Sequence, residues 1–119
     1  MEADITLHGI PNCDQVKKAR VWLDRQQVAH QFHDFKKHGV DRTMIEKWLQ
    51  QIPWETLLNR KGTTWRTLPE ARRALITDAD NAMALMIEAP TIIKRPILTT
   101  PLHSVSGFSD DLYQRIFKN

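Results

Sequence analysis

An α/β fold, built as a four-stranded mixed sheet with a helical insertion between a βαβ half and a ββα half, follows from three features of this 119-residue sequence. Residues 5–8 and 28–35 alternate apolar and polar side chains as strands do, and the segment between them has apolar residues at helical spacing. The middle of the chain is a run of helical patterns separated by prolines and a glycine. Two further runs, around Ile92–Leu98 and His103–Ser106, are then followed by one last amphipathic helix. At 41% hydrophobic content a chain of this length buries one core. A single domain over 1–119 is therefore expected, with 1–35 and 91–119 as the sheet-bearing core and 41–89 as the insertion.

In chain order, Ile5, Thr6, Leu7 and His8 form the first strand, which Gly9 and Pro11 end. Val16, Ala19, Trp22 and Leu23 mark a helix that starts near Cys13 and runs to about Gln26. Strand, helix and strand at this spacing make a βαβ unit, with parallel strands and a right-handed crossover. Asp41 is a candidate N-cap for a helix carrying Met44, Ile45, Trp48 and Leu49, which must stop before Pro53. Trp54–Leu58 is a short helical turn and Asn59–Gly62 a basic loop. Thr67 and Glu70, with Pro69 between them, have the spacing of a capping box for a helix through Leu75. Thr77 or Asp78 opens the next helix, whose buried stripe is Ala82, Met83, Met86 and Ile87. Ile92, Ile93, Ile97 and Leu98 belong to a third strand interrupted by Pro96. His103–Ser106 is a short fourth strand. Ser109 caps a final helix that buries Leu112, Tyr113, Ile116 and Phe117. With the helical run removed, the order is the thioredoxin-like plan.

A net charge of +3 is spread over both halves of the chain, so no nucleic-acid patch is expected, whereas small anionic substrates are compatible with it. One cysteine allows no intramolecular disulfide and fits a reducing cytoplasm. The acidic start, Met1–Asp4, lacks the features of a signal peptide, and no apolar run reaches membrane-spanning length. The expectation is a cytoplasmic monomer with no membrane partner. His30 and His33 fall on opposite faces of a strand and no zinc-ligand spacing occurs, so no metal is expected.

Cys13 carries the chemistry. Where a strand hands over to a helix, unpaired backbone N–H groups and the helix dipole favour thiolate over thiol, and the thiolate is the nucleophile. Lys17, one turn on, and Asn12, the preceding residue, are the candidate thiolate-stabilising side chains, while Asp14 opposes them.

The stretch Gly9-Ile10-Pro11-Asn12-Cys13-Asp14, continued by Val16-Lys17-Lys18-Ala19-Arg20, resembles the arsenate reductase (ArsC-like) family, in particular its YffB-like branch. Leu57-Leu58-Asn59-Arg60, Ile92 to Leu98 and Gly107-Phe108 extend the resemblance over nearly the whole chain. It implies that Cys13 is the nucleophile, that Arg60 and Arg95 bind the substrate anion, and that Pro96 is the cis-proline thioredoxin-like folds set beside their cysteine. It further implies glutathione as co-substrate and glutaredoxin as a partner. Phe108 stands where the family has a third arginine, and Asp14 where arsenate reductases often have Gly or Ser; both oppose a tetrahedral dianion. The expected activity is therefore glutathione-dependent thiol reduction through a single cysteine. Arsenate reduction is the alternative. A Spx-like, polymerase-binding regulator is a third reading, opposed by Val16 at the place of the second cysteine of that group's redox switch.

Overall fold

A computed structural model describes residues 4–117, so the outermost residues of the expected domain, 1–3 and 118–119, lie outside it. The chain divides into two compact units at Asp34/Phe35 and Lys94/Arg95. The boundaries inferred from sequence, 35 and 91, thus move by a few residues, and the helical insertion extends over Phe35–Lys94.

The first unit holds the sheet. Its strands are β1 (Thr6–Gly9), β2 (Gln31–Asp34), β3 (Ile97–Thr99) and β4 (Ser104–Ser106), in the order β2-β1-β3-β4. β1 and β2 are parallel; β3 is antiparallel to both β1 and β4. This is the four-stranded mixed sheet of the thioredoxin-like plan. Helices α1 (Asp14–Arg25) and α8 (Asp110–Phe117) pack on one face through Val16, Ala19, Trp22, Leu23 and Tyr113, against Leu7 and Leu98. Alternation along the strands puts His8 on the opposite face. There His8 Nδ1 lies 2.9 Å from His33 Nδ1 on β2, and His8 Nε2 lies 3.1 Å from Thr99 Oγ1 on β3. A consistent assignment has His33 Nδ1–H donating to His8, His8 Nε2–H to Thr99, and the Thr99 hydroxyl to the Thr6 carbonyl. Three strands are thereby tied side by side.

The second unit is helical: α2 (Phe35–His38), α3 (Arg42–Leu49), α4 (Trp54–Leu57), α5 (Thr63–Arg66), α6 (Glu70–Ala74) and α7 (Ala79–Glu88), then a 3-10 turn over Pro90–Ile92. Asp41 and Asp78 cap α3 and α7 by accepting the Met44 and Asn81 amides, both at 2.9 Å. Buried Ile45, Trp48, Leu57, Met83, Leu85 and Met86 are among its core residues.

Several expectations are corrected by local geometry. β2 begins at Gln31 instead of Val28, because α1 ends in a Schellman turn: Gln27 takes the left-handed conformation at φ 57°, and the Val28 amide returns to the Leu23 carbonyl at 2.9 Å. Phe35 opens α2 and leaves the strand. The Thr67–Glu70 capping box does not form; Thr67 ends α5 with its hydroxyl donating to the Thr64 carbonyl, and Pro69 occupies the N-cap of α6. Ile87, expected in the buried stripe of α7, is exposed, and Leu85 is buried with Ala82, Met83 and Met86. Ile92 lies in the 3-10 turn and Ile93 makes an isolated bridge with Leu58, which leaves β3 to start after Pro96. Around the final helix the aromatic rings interlock: Tyr113 meets Trp22 edge-on at 5.5 Å and Phe108 at 4.8 Å.

Two predictions follow from this packing. A Cβ at Gly9 would lie 2.7 Å from Val16 Cγ2, so Gly9→Ala forces the end of β1 away from α1. It should cost about 1–3 kcal/mol in urea unfolding, and a neutral result would mean that α1 shifts freely against the strand. The Tyr113 hydroxyl is buried with no hydrogen-bond partner among the described residues, and burial pushes its pKa well above the ordinary tyrosine value. Tyr113→Phe should therefore leave stability unchanged or raise it by up to ~1 kcal/mol. A loss beyond that would show the hydroxyl to be bonded.

Candidate functional site

The site is assembled where β1 ends and α1 begins. Gly9 permits the close approach of Val16, and the Cys13 amide then closes a turn on the Ile10 carbonyl at 3.2 Å, with Pro11 and Asn12 at its corners. Cys13 is the N-cap of α1, and its carbonyl accepts the Lys17 amide at 2.9 Å. Its side chain is half-buried against the α1/α8 core.

The second wall comes from the start of β3. Because His8 pairs with Ile97 in an antiparallel register, the residues before Ile97 run alongside Gly9 and Ile10. Arg95–Pro96 is a cis peptide, Pro96 is buried, and its carbonyl accepts the Gly107 amide at 2.8 Å. Arg95, half-buried, hydrogen-bonds the Cys13 sulfur.

Burial acts to raise the Cys13 pKa and is the largest single influence, yet the pKa lies below the ordinary cysteine value. The Val16 amide, the Arg95 guanidinium and the Gln15 amide together outweigh the desolvation, with the charge of Arg95 adding to them. Cys13 closes no full capping hydrogen bond with these amides. Their attraction for a large, diffuse sulfur anion is the long-range field of a helix N-terminus.

Lys17 and Asn12, the side chains expected to stabilise the thiolate, are exposed and are not among the groups that lower its pKa. That role falls to two backbone amides and Arg95. The amides carry no residue-type signal; only their positions, two and three beyond an N-cap, would reveal them. Arg60 lies in the helical unit, exposed in the loop between α4 and α5, with its guanidinium 5.3 Å from the Trp54 ring and 5.8 Å from that of Trp65. The Asn59 side chain accepts the Lys61 amide at 3.2 Å and shapes that loop. Phe108 is half-buried on the Tyr113 ring, so the position of the expected third arginine is part of the apolar core. Val16, at the position where a second switch cysteine would be expected, is fully buried. Among the described residues no group of three or more His, Cys, Asp or Glu side chains is arranged to hold a metal ion, and no helix is long and apolar enough to cross a membrane.

Comparison with known proteins agrees with this geometry. A solved structure of the protein YffB superposes with a TM-score of 0.89 at 43% identity, covering 93% of this chain and 96% of that one. The solution structure of an arsenate reductase (ArsC)-related protein from Brucella melitensis is also 43% identical, with a TM-score of 0.73 and coverage of 100% and 97%. A protein of uncharacterised function from Haemophilus influenzae is 38% identical over 113 residues, 95% of this chain and 98% of the relative. More distantly, the global transcriptional regulator Spx of Streptococcus agalactiae is 27% identical over 112 residues, 90% of this chain and 78% of the regulator. The sequence model of the ArsC family matches residues 8–116, which take in Cys13, the cis Arg95–Pro96 peptide and all four strands but the first two residues of β1, and the chain belongs to the ArsC family.

Proposed function

We propose that this protein is a glutathione-dependent thiol oxidoreductase that works through Cys13 alone. The observation that carries the reading is the half-buried Cys13 at the N-cap of α1, its pKa lowered against the effect of burial and its sulfur bonded by the residue that precedes a cis-proline. In the first step the Cys13 thiolate attacks the glutathione sulfur of a glutathionylated thiol, forming a Cys13–glutathione disulfide as the substrate disulfide breaks. The substrate leaves as a thiolate and takes up a proton from solvent. In the second step a glutathione thiolate attacks the glutathione sulfur of that mixed disulfide, releasing oxidised glutathione and regenerating the Cys13 thiolate. The substrate is reduced by two electrons and two glutathione units end as one disulfide. An external thiol is needed because the chain has no second cysteine.

Arg95 serves twice in this scheme, holding the resting thiolate and offering a cation to a glutathione carboxylate. Arg60, presented by two tryptophans, is assigned to carboxylate binding on its own unit. A glutathione-rich cytoplasm is the matching compartment, with the protein acting as a monomer and glutaredoxin as an alternative electron donor. Arsenate reduction is disfavoured by the Phe108 ring in the apolar core, and a two-cysteine regulatory switch by the burial of Val16.

Turnover of a glutathionylated peptide with glutathione should fall at least about a hundredfold in Cys13→Ser, since the hydroxyl is a far weaker nucleophile at neutral pH; full activity in that variant would end the proposal. Arg95→Met removes a hydrogen bond and a positive charge that favour the thiolate. The midpoint of the pH–alkylation profile of Cys13 should therefore move to higher pH, with slower alkylation at pH 7. A profile that stays in place, or moves down, would show that Arg95 does not act on the sulfur.

A further inference from the structure

A cleft of about 510 Å³ opens between α1 and α8, within the size range of small-molecule sites. Its α1 wall is a single stripe at helical spacing: Lys17 and Lys18 at one end, Val21 and Trp22 in the middle, Arg25 at the other. From Lys17 to Arg25 the helix rises about 12 Å. Val21 is 48% exposed although it lies on the first unit's main packing helix, and Phe108 completes the apolar floor from the opposite side. That floor is rigid: Trp22 is held edge-on by Tyr113 at 5.5 Å and lies 5.7 Å from Phe117, while Phe108 stands on the same Tyr113 ring. Among the described residues Lys17, Lys18 and Arg25 enter no ion pair. Asp110, in the first turn of α8, is the acidic residue of the lining, against three cations.

Two lining residues tie the cleft to the Cys13 turn through the chain, one on each wall. Lys17 is one helical turn from Cys13, and Phe108 follows Gly107, whose amide bonds the carbonyl of cis-Pro96. Positive charge at both ends of a preformed apolar floor selects a ligand with the complementary pattern. We propose that the cleft holds the body of the thiol substrate, and that this body is an elongated organic anion, apolar or aromatic in the middle and acidic at each end. The assignment rests on the thiol-transfer reading above, and it adds to it the chemical class of the substrate.

Biphenyl-4,4′-dicarboxylate is a suitable probe, with the uncharged dicarboxamide as control. In Cys13→Ser, which has no thiol chemistry, the dicarboxylate should shift the NMR signals of the Val21 and Gln114 amides and the Trp22 indole, while the dicarboxamide should not. Reversing two charges, Lys18→Glu with Arg25→Glu, should weaken binding about tenfold, as expected for two solvent-exposed ion pairs. Asp110→Asn should tighten it. In the wild-type protein the dicarboxylate should compete with a glutathionylated acidic peptide for turnover. Absence of shifts at these residues, equal affinity in the charge-reversed variant, or binding without competition would each overturn the proposal. Turnover that survives in Cys13→Ser, alongside intact probe binding, would instead remove the thiol-transfer reading.

Discussion

The antiparallel pairing of β3 with β1 is the constraint on which the site depends. Cys13 follows β1 closely in sequence, but Arg95 and Pro96 arrive only after the whole helical unit. Their place beside the sulfur is set by the His8–Ile97 register. A slip of one residue would exchange the faces of Ile97 and Leu98, both fully buried, and set each against the other's packing partners. Register is reinforced on both faces of the sheet. Leu7 and Leu98 pack under α1 and α8, while the His33–His8–Thr99 chain links three strands on the other side. The Pro96 carbonyl is in turn anchored by the Gly107 amide, so the start of β3 is fixed from β4's side as well.

Within that frame the sulfur is subject to two opposed effects. Half-burial disfavours a negative charge, and among individual influences it is the strongest. Two backbone amides and one guanidinium together reverse it. The first turn of α1 fixes the two amides relative to the Cys13 sulfur, and the close contact at Gly9 seats that turn against the end of β1.

The aromatic group around Tyr113 links the final helix to the same chemistry. Phe108, Trp22 and Phe117 surround a tyrosine whose hydroxyl finds no partner among the described residues, an arrangement that favours ring packing over hydrogen bonding. An arginine at 108 would have to leave this group or bring a charge into it, at a desolvation cost. Phe108, at the position where the resemblance leads one to expect a third arginine, is therefore matched by the surrounding core, and its ring is part of the lining of the α1/α8 cleft.

Local features were legible from residue order alone: the N-terminal position of Cys13 on its helix, the caps at Asp41, Asp78 and Ser109, and the βαβ then ββα arrangement around a helical insertion. Each depends on interactions across a few residues, which spacing and side-chain type encode directly. Boundaries were less legible where two local signals compete. Gln27 takes a left-handed turn that glycine usually marks, and Thr67 is satisfied by the Thr64 carbonyl before it can cap the next helix. The amides acting on the sulfur follow from the place of Cys13 at the start of its helix, whereas the side chain that joins them was decided by tertiary structure. Lys17 is near Cys13 in sequence but does not lower its pKa, whereas Arg95 is distant in sequence and reaches the sulfur through the β1–β3 register. Sequence determines which residues are available and which segments become strand or helix. Which of them meet is set by sheet register and core packing, because those depend on contacts made only once the chain has closed on itself.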